Sequence, residues 1–207
     1  MPLITFLSDF GTSDSYVGEV KGVLATLAPG VPVTDITHQI APGDIRAAAH
    51  ILDRAWHRFP AGTVHLVVVD PGVGGTRAAL AVESGGHRFV GPDNGVLTPS
   101  FMNADPHIVS LPVPECAAHT FHGRDLFAPV AARLALGAAV DDLGEPLGHP
   151  ATKLVDPVPT LLQPVLDGET GVMTNPVPPD GSSSPPKVPD CDTIIAYMAS
   201  CSLLPHP

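Results

Sequence analysis

Short apolar runs alternate with amphipathic stretches over the first three quarters of the chain. The apolar runs are rich in β-branched residues, as buried strands are, and cover residues 3–7, 31–36, 63–69, 78–83, 87–90 and 107–111. Helical spacing of apolar positions predicts helices over residues 17–27, 45–59 and 124–136, with a short fourth helix over 94–101. Strands that alternate with helices in this way predict an α/β domain whose largely parallel sheet is flanked by helices.

Residues at the ends of these segments support the same boundaries. Pro29-Gly30 ends the first helix, Asp44 stands at the N-cap of the second, and Gly85-Gly86 predicts a tight turn between two strands. The apolar faces predicted to be buried are Val17, Val20, Leu24 and Leu27 in the first helix, Ile45, Ala49, Leu52, Trp56 and Phe59 in the second, and Leu126, Val130 and Leu134 in the third.

The hydrophobic pattern is lost near residue 155. Residues 156–207 contain 11 of the 25 prolines and include the run TNPVPPDGSSSPPKVPDCD, which lacks apolar periodicity and many backbone donors. We therefore expect an N-terminal α/β domain over residues 1–155 and a Pro- and Ser-rich, poorly ordered segment over residues 156–207.

Composition narrows the class of protein. The chain has 207 residues, of which 44% are hydrophobic, enough for one ordinary domain with a substantial core. It contains no apolar run long enough to span a membrane, and Asp9 falls too early for a signal peptide, so we expect a cytoplasmic protein without a membrane partner. Its three cysteines, Cys116, Cys191 and Cys201, have neither metal-ligand spacing nor a disulfide framework.

The balance of charge excludes another class of partner. The chain carries 21 acidic and 10 basic residues, for a net charge of −11. Nucleic-acid phosphates require clustered Lys and Arg, so we expect no nucleic-acid partner. An acidic balance suits a cationic ligand, although a solvated acidic surface is its commoner meaning.

Polar residues gather where predicted strands end, which is where α/β sheets bind their ligands. Asp9 and Asp14 flank a glycine after the first strand. They are either turn and helix-cap residues or carboxylates for a ribose diol and an ammonium group. Asp70 leaves the most apolar strand, and Arg77 follows a glycine-rich loop. This pair is either a structural ion pair or part of a site, and the loop lacks the spacing of a phosphate-binding motif.

Two further candidates lie later in the chain. Asn94 belongs to an Asp-Asn-Gly turn, for which a purely structural role is as plausible as a ligand contact. His122 and Gly123 precede the last predicted helix. A single histidine is more often structural, but this position between strand and helix makes a functional role equally plausible.

Four of these motifs occur together in an order that resembles a known family. SDFGTSDSYVGEVKG, VVDPGVGGTR, PDNGVLT and TFHGRDLFAP, spread over residues 3–150, are similar to the SAM hydroxide adenosyltransferases, or S-adenosyl-L-methionine (SAM) hydrolases. These enzymes are the water-using relatives of the fluorinases and chlorinases. Four ordered motifs are far more specific than any one of them.

The resemblance implies hydrolysis of SAM to adenosine and L-methionine, without a metal or cofactor. It implies that Asp70, Arg77 and His122 position and activate a water molecule. It also implies that Asp9 holds the ribose hydroxyls and Asp14 the methionine ammonium, with Asn94 and Gly123 as further substrate contacts. The halogenating relatives have a tyrosine at the position of Asp70 and a serine at that of Gly123, so these residues favour water over a halide.

The family also has a C-terminal β-barrel domain that contacts adenine, and its members form homotrimers. In this chain LLQPVLDGETGV resembles the start of that domain, but the Pro- and Ser-rich run replaces its continuation. We therefore expect an incomplete or aberrant segment in place of the barrel. A catalytically impaired remnant or an adenosine-binding module is the alternative function, and a halide-using enzyme is a weaker one. A metal-dependent hydrolase using Asp70, His38, His50 or His122 lacks support, because neither HxH nor HExxH spacing is present.

Overall fold

The computed structural model describes residues 2–101 and 105–154, and the backbone of residues 165–166 and 173–174. In this part of the chain seven strands form one sheet in the order β2-β1-β3-β5-β4-β6-β7. The strands are β1 (Ile4–Ser8), β2 (Val33–Thr37), β3 (Val64–Val68), β4 (Ala79–Ser84), β5 (His87–Pro92), β6 (His107–Ser110) and β7 (Glu145–Pro146). The helices are α1 (Tyr16–Leu27), α2 (Ile45–Trp56) and α3 (Ala128–Ala135).

The sheet is mixed, with a parallel and an antiparallel half. β2, β1, β3 and β5 are parallel neighbours, whereas β4 pairs antiparallel with both β5 and β6, and β6 with β7. The expected largely parallel sheet is therefore correct for four strands only. The predicted Gly85-Gly86 turn causes the difference, because both glycines have positive φ (57° and 78°) and reverse the chain directly between β4 and β5.

The two faces of the sheet bury separate apolar clusters. Alternate residues of β1 and β3 point to opposite faces, and every residue of both strands is buried. One cluster joins Phe6 and Leu66 to residues of α1 and α3, and the other joins Leu7 and Val67 to residues of α2. This arrangement shows that the strand predicted over residues 63–69 is buried on both faces, although Thr63 and His65 in it are polar.

The predicted N-cap of α2 is confirmed, whereas the predicted buried face of α1 is correct only in part. Asp44 caps α2, because its Oδ1 accepts a hydrogen bond from the Ala47 N–H at 2.9 Å. In α1, Val20 and Leu24 are buried as predicted, but Leu27 is 46% exposed. Leu27 is the last residue of α1.

Two other predicted helices differ from the structure. The helix expected over residues 94–101 is reduced to a 3₁₀ turn, Thr98–Phe101, because Asn94 and Gly95 form a tight turn instead. The helix expected over residues 124–136 begins as a π-helical turn, Gly123–Phe127, and continues as α3. A second 3₁₀ turn, Val140–Leu143, leads to β7.

The chain divides into two units, residues 1–155 and 156–207. In the second unit, the backbone of Val165–Leu166 (β8) pairs antiparallel with that of Met173–Thr174 (β9). The predicted disorder of this segment, and its relation to a β-barrel, lie outside the described residues. Among the described residues, no helix is both long enough and apolar enough to cross a bilayer.

Candidate active site

The candidate site lies where the parallel strands β1 and β3 end side by side. The two strands pair in register up to Ser8 and Val68, so the residues that follow them, including Asp9 and Asp70, meet at one edge of the sheet. A cavity of about 320 Å³ opens at this edge. Its lining residues are Asp9, Phe10, Pro42, Gly43, Val68, Asp70, Pro71, Val73, Thr120, Phe121, His122 and Gly123.

Asp70 and Arg77 form a buried ion pair in this wall. Arg77 Nε donates to both carboxylate oxygens at 3.0 Å, and Arg77 Nη2 donates a further short hydrogen bond to Asp70 Oδ2. The side chains are only 5% and 10% exposed for Asp70 and Arg77. The Phe127 ring lies 5.4 Å from the Arg77 guanidinium carbon and covers its other side. Because the pair is charge-assisted and hardly exposed to solvent, the two side chains are held in a fixed orientation.

His122 extends this pair into a triad. Its Nδ1 lies 3.0 Å from Arg77 Nη2. A guanidinium can only donate, so Nδ1 accepts, and the neutral ring carries its proton on Nε2. Burial, and then the positive charge of Arg77, lower the pKa of His122 below its ordinary value. His122 is therefore neutral near pH 7 and presents an N–H donor at its second nitrogen.

Asp9 also lines the cavity and is fixed there by a backbone amide. The Gly43 N–H donates to Asp9 Oδ2 at 2.7 Å. Gly43 has φ +73°, a conformation that suits glycine and turns this amide toward the carboxylate. With Oδ2 anchored, Asp9 Oδ1 can accept a hydrogen bond from a ligand hydroxyl.

An aromatic surface and a glycine complete the described lining. The rings of Phe10 and Phe121 meet edge to face with centroids 5.8 Å apart. A β-carbon added at Gly123 would lie 3.2 Å from the Phe10 ring and 3.3 Å from Val68. The absence of a side chain at Gly123 thus leaves room for the cavity at the point where the aromatic rings approach the triad.

Four of the seven predicted site residues line this cavity: Asp9, Asp70, His122 and Gly123. A fifth, Arg77, does not line it but bonds to both Asp70 and His122. Asp14 is exposed, and its Oδ1 accepts from the Ser15 N–H at 2.6 Å. Asn94 donates from Nδ2 to the Val69 carbonyl at 2.8 Å and accepts from the Val96 N–H at 3.1 Å, which stabilises the turn after β5. Substrate contacts by Asp14 and Asn94 stay predictions.

The histidines considered as metal ligands do not come together. His50 is exposed on α2, and His38 is buried beside β1. Within residues 2–101 and 105–154, no group of three or more His, Cys, Asp or Glu side chains is placed to hold a metal ion.

Residues 4–144 match the sequence model described as SAM hydroxide adenosyltransferase N-terminal domain. The chain belongs to the SAM hydroxide adenosyltransferase family. The match includes every residue of the triad and Asp9, so it covers the whole cavity wall described above.

Two hydrolases of the same name and a more distant fluorinase are among the curated relatives of this SAM hydroxide adenosyltransferase domain. The (R)-S-adenosyl-L-methionine hydrolase of Salinispora tropica is 46% identical over 82% of this chain and 66% of its own length. The hydrolase of the same name from Thermus thermophilus is 46% identical over 68% of this chain and 60% of its own. A fluorinase from Nocardia brasiliensis is 28% identical over 70% of this chain. The chain thus spans less than two thirds of the hydrolases it matches.

A solved structure of a conserved protein from Thermotoga maritima is also similar. It superposes with a TM-score of 0.67 at 41% identity, over 70% of this chain and 57% of that one. A conserved hypothetical protein from Thermus thermophilus gives a TM-score of 0.62 at 44% identity, over 71% of this chain and 59% of that one.

Sequence reasoning did not identify several residues of the cavity. Gly43 and Pro42 lie between β2 and α2, and the Pro-Gly pair just before an N-cap was a signal of a tight turn at the sheet edge. Phe10 and Phe121 are each adjacent to a predicted site residue, but an aromatic residue there is equally typical of the core.

Proposed function

We propose that this chain binds SAM in the β1–β3 cavity and hydrolyses it to adenosine and L-methionine. The water oxygen attacks ribose C5′ as the C5′–sulfur bond breaks, and methionine leaves with the bonding electron pair as a neutral thioether. The water loses one proton, so the cationic substrate and water yield two products and a released proton. Because the thioether leaves uncharged, no general acid is needed for it.

The triad geometry supports distinct roles for its members. Asp70 is the acceptor for the water proton, because the neutral His122 has its Nδ1 occupied by Arg77 and its other nitrogen protonated. His122 Nε2–H orients the water through a hydrogen bond to its oxygen. Arg77 holds Asp70 on two sides and stabilises the developing hydroxide by its charge.

The substrate roles follow from position in the cavity. Asp9, anchored by Gly43, accepts hydrogen bonds from the ribose hydroxyls. The sulfonium lies against the Phe10 and Phe121 rings, because aromatic faces attract cations. Gly123 leaves room for the ribose. Asp14 and Asn94 do not line the cavity, and only the family resemblance supports their proposed contacts with the methionine ammonium and a further polar group of the substrate.

The single observation that carries the proposal is the Asp70–Arg77–His122 triad in the wall of a cavity shared with Asp9. The match to the SAM hydroxide adenosyltransferase family and the similarity to relatives named SAM hydrolases support the same conclusion. We extend the proposal to a cytoplasmic protein that needs no metal or cofactor. We also propose a homotrimer, and no nucleic-acid or membrane partner. We further propose that residues 1–155 form the catalytic domain, as a unit separate from residues 156–207.

The test is to incubate the purified full chain with SAM in ¹⁸O-labelled water and separate the products by chromatography. Adenosine and methionine in equal amounts, with the label in the adenosine 5′-hydroxyl and no effect of a chelator, support the proposal. Asp70→Asn should lower the rate by about a hundred- to ten-thousandfold, as loss of a general base does. The matched control, Asp53→Asn on the exposed surface of α2, should keep it.

Other results would assign a different function. Adenosine binding without turnover would make the chain an adenosine-binding module, the alternative function named in the sequence analysis. A 5′-halogenated adenosine formed in the presence of halide would make it a halide-using enzyme. Activity abolished by a chelator would contradict the metal-independent mechanism.

A further inference from the structure

A buried hydroxyl–imidazole pair lies behind the wall that carries Asp9. Ser8, the last residue of β1, is fully buried, and His38, just after β2, is 4% exposed. Ser8 Oγ lies 2.8 Å from His38 Nδ1. The Phe6 ring packs edge-on against the imidazole with centroids 4.6 Å apart and fixes its plane.

The surroundings of His38 set the direction of this hydrogen bond. Its Nε2 lies 3.2 Å from Asp35 Oδ1, off the line of a well-formed hydrogen bond but close enough for the carboxylate to favour a proton there. Asp35 in turn pairs with Lys21 at 2.6 Å. With the proton on Nε2, Nδ1 is an acceptor, and the Ser8 hydroxyl donates to it.

Both members of the pair also hold the loop that follows β1. The Ser8 hydroxyl donates a hydrogen bond to His38, and its oxygen accepts one from the Phe10 N–H at 3.4 Å. The Gly11 N–H donates to the His38 carbonyl at 2.7 Å. Asp9 lies between these contacts, and both Asp9 and Phe10 line the cavity.

We propose that His38 is a positioning residue, which holds Asp9 and Phe10 in the cavity wall through its bond to the Ser8 hydroxyl. The importance of this placement for ribose binding rests on the function proposed above. His38 itself does not line the cavity, so it acts through the loop and not on the substrate. The role is distinct from the metal-ligand role considered for His38 from the sequence.

A second hydroxyl–imidazole pair on the same strand provides a matched control. Thr5 Oγ1 lies 2.7 Å from His65 Nδ1, and both residues are fully buried. This pair resembles Ser8–His38 in burial and distance but lies toward the amino end of β1, away from the loop. A change in either pair should therefore lower the stability of β1. Only a change in Ser8–His38 should also loosen the loop that follows β1.

The experiment is amide hydrogen exchange of the full chain by NMR, read at Gly11 and Gly43. Gly43 reports on Asp9 because its N–H is bound by that carboxylate. The variants are Ser8→Ala, His38→Gln, His38→Asn and Thr5→Val. Gln places its amide near the Nε2 position of histidine and loses the Ser8 bond, whereas Asn places an acceptor near Nδ1 and keeps it.

We expect Ser8→Ala and His38→Gln to speed exchange at both reporters by about tenfold, relative to the exchange of core β3 amides in the same variant, as loss of one hydrogen bond predicts. His38→Asn should restore most of the protection, and Thr5→Val should leave the ratio unchanged. Unchanged ratios in Ser8→Ala and His38→Gln, or an equal rise in Thr5→Val, would overturn the proposal.

A calorimetric titration with adenosine separates this result from the function proposed above. If the unaltered chain binds adenosine, Ser8→Ala and His38→Gln should weaken binding by about tenfold and His38→Asn by less. Equal affinity in all variants would overturn the positioning role. If the unaltered chain binds neither adenosine nor SAM, the proposed function fails, while the exchange rates still decide the role of His38.

Discussion

Two buried histidines near opposite ends of β3 show what distinguishes a site from a core. His65 lies near the amino end of β3, fully buried between Thr5, His87 and Phe89. His122 lies near the carboxyl end, where Gly123 packs close to Val68. Burial is the largest cause that lowers the pKa of each, to about 3 for His65.

The difference lies in the neighbours and not in the burial. His65 contacts a hydroxyl, a second imidazole and aromatic rings. Its hydrogen-bond partners, Thr5 and His87, are residues of neighbouring strands in the sheet. His122 instead bonds to a charged guanidinium that is itself paired with a carboxylate, and it lines a cavity. A lowered histidine pKa therefore marks a site only together with a charge partner and open space.

The largest expected effect comes from breaking the charge partnership with Arg77→Met. This change leaves Asp70 buried without its partner, so we expect the free energy of unfolding to fall by about 3 kcal/mol. Removal of the nearby positive charge should also raise the pKa of His122. Urea denaturation measures the first and NMR titration of the imidazole the second.

Arg133→Met is the control, because Arg133 is exposed and donates only a 3.3 Å bond to the Asp142 carbonyl. It should change the free energy of unfolding by about 0.5 kcal/mol or less. If both variants lost equal stability, the Asp70–Arg77 pair would not be the fixed element on which the triad depends.

A second effect concerns pH and the buried His65. Its pKa is about 3 in the folded chain, whereas the unfolded chain has the ordinary value near 6.5. Between these values only the unfolded state binds the proton, so stability is present above about pH 6.5 and is lost as the pH falls toward 3, by about 1.4 kcal/mol per pH unit. The slope of unfolding free energy against pH, from urea denaturation between pH 6 and 4, measures it.

The variant that isolates this contribution is His65→Asn, which keeps an acceptor near the Thr5 hydroxyl but has no proton to bind. It should reduce the slope by about one proton. His122 and His87 also have a lowered pKa and should keep part of the slope in the variant. If His65→Asn left the slope unchanged, burial would not lower the pKa of His65, and water would reach the Thr5–His65 pair in solution.

The smallest expected effect compares two glycines. In Gly123→Ser the new β-carbon would press on Phe10 at 3.2 Å and Val68 at 3.3 Å, so we expect a loss of about 1 kcal/mol and a smaller cavity. Gly18→Ala, inside α1 with no neighbour within 4 Å of the new carbon, should instead stabilise the chain by up to about 1 kcal/mol. Thermal unfolding of the two variants checks both signs, and a stabilising Gly123→Ser would contradict the close packing at the cavity.

The sequence predicted the elements well where periodicity was strong. Asp9 and Asp70 could be placed at one edge because both follow apolar strands, and parallel strands end together. The helix expected from Asn94 failed because its amide satisfies the Val69 carbonyl and the Val96 N–H in a turn, which periodicity does not encode. The sheet became mixed because a two-residue turn joins β4 to β5.

Contacts between residues far apart in the chain could not be predicted from the sequence pattern. His122 is 45 residues from Arg77 along the chain, and only the family resemblance joined them before the structure did. The Gly43 amide reaches Asp9 across 34 residues, and Ser8 reaches His38 across 30. Each contact depends on the order of strands in the sheet, which local pattern does not determine.

The segment after β7 has a consequence for anyone who wishes to graft a second domain onto this one. The buried Asp93 carboxylate binds the Ala151 and Thr152 amides at 2.8 and 3.2 Å, and Thr98 Oγ1 accepts from the Leu154 N–H at 2.8 Å. A chain cut at residue 144, where the family match ends, would strip these donors from the turn that Asn94 ties to the strand leading into Asp70. The junction of a chimera therefore belongs after residue 154.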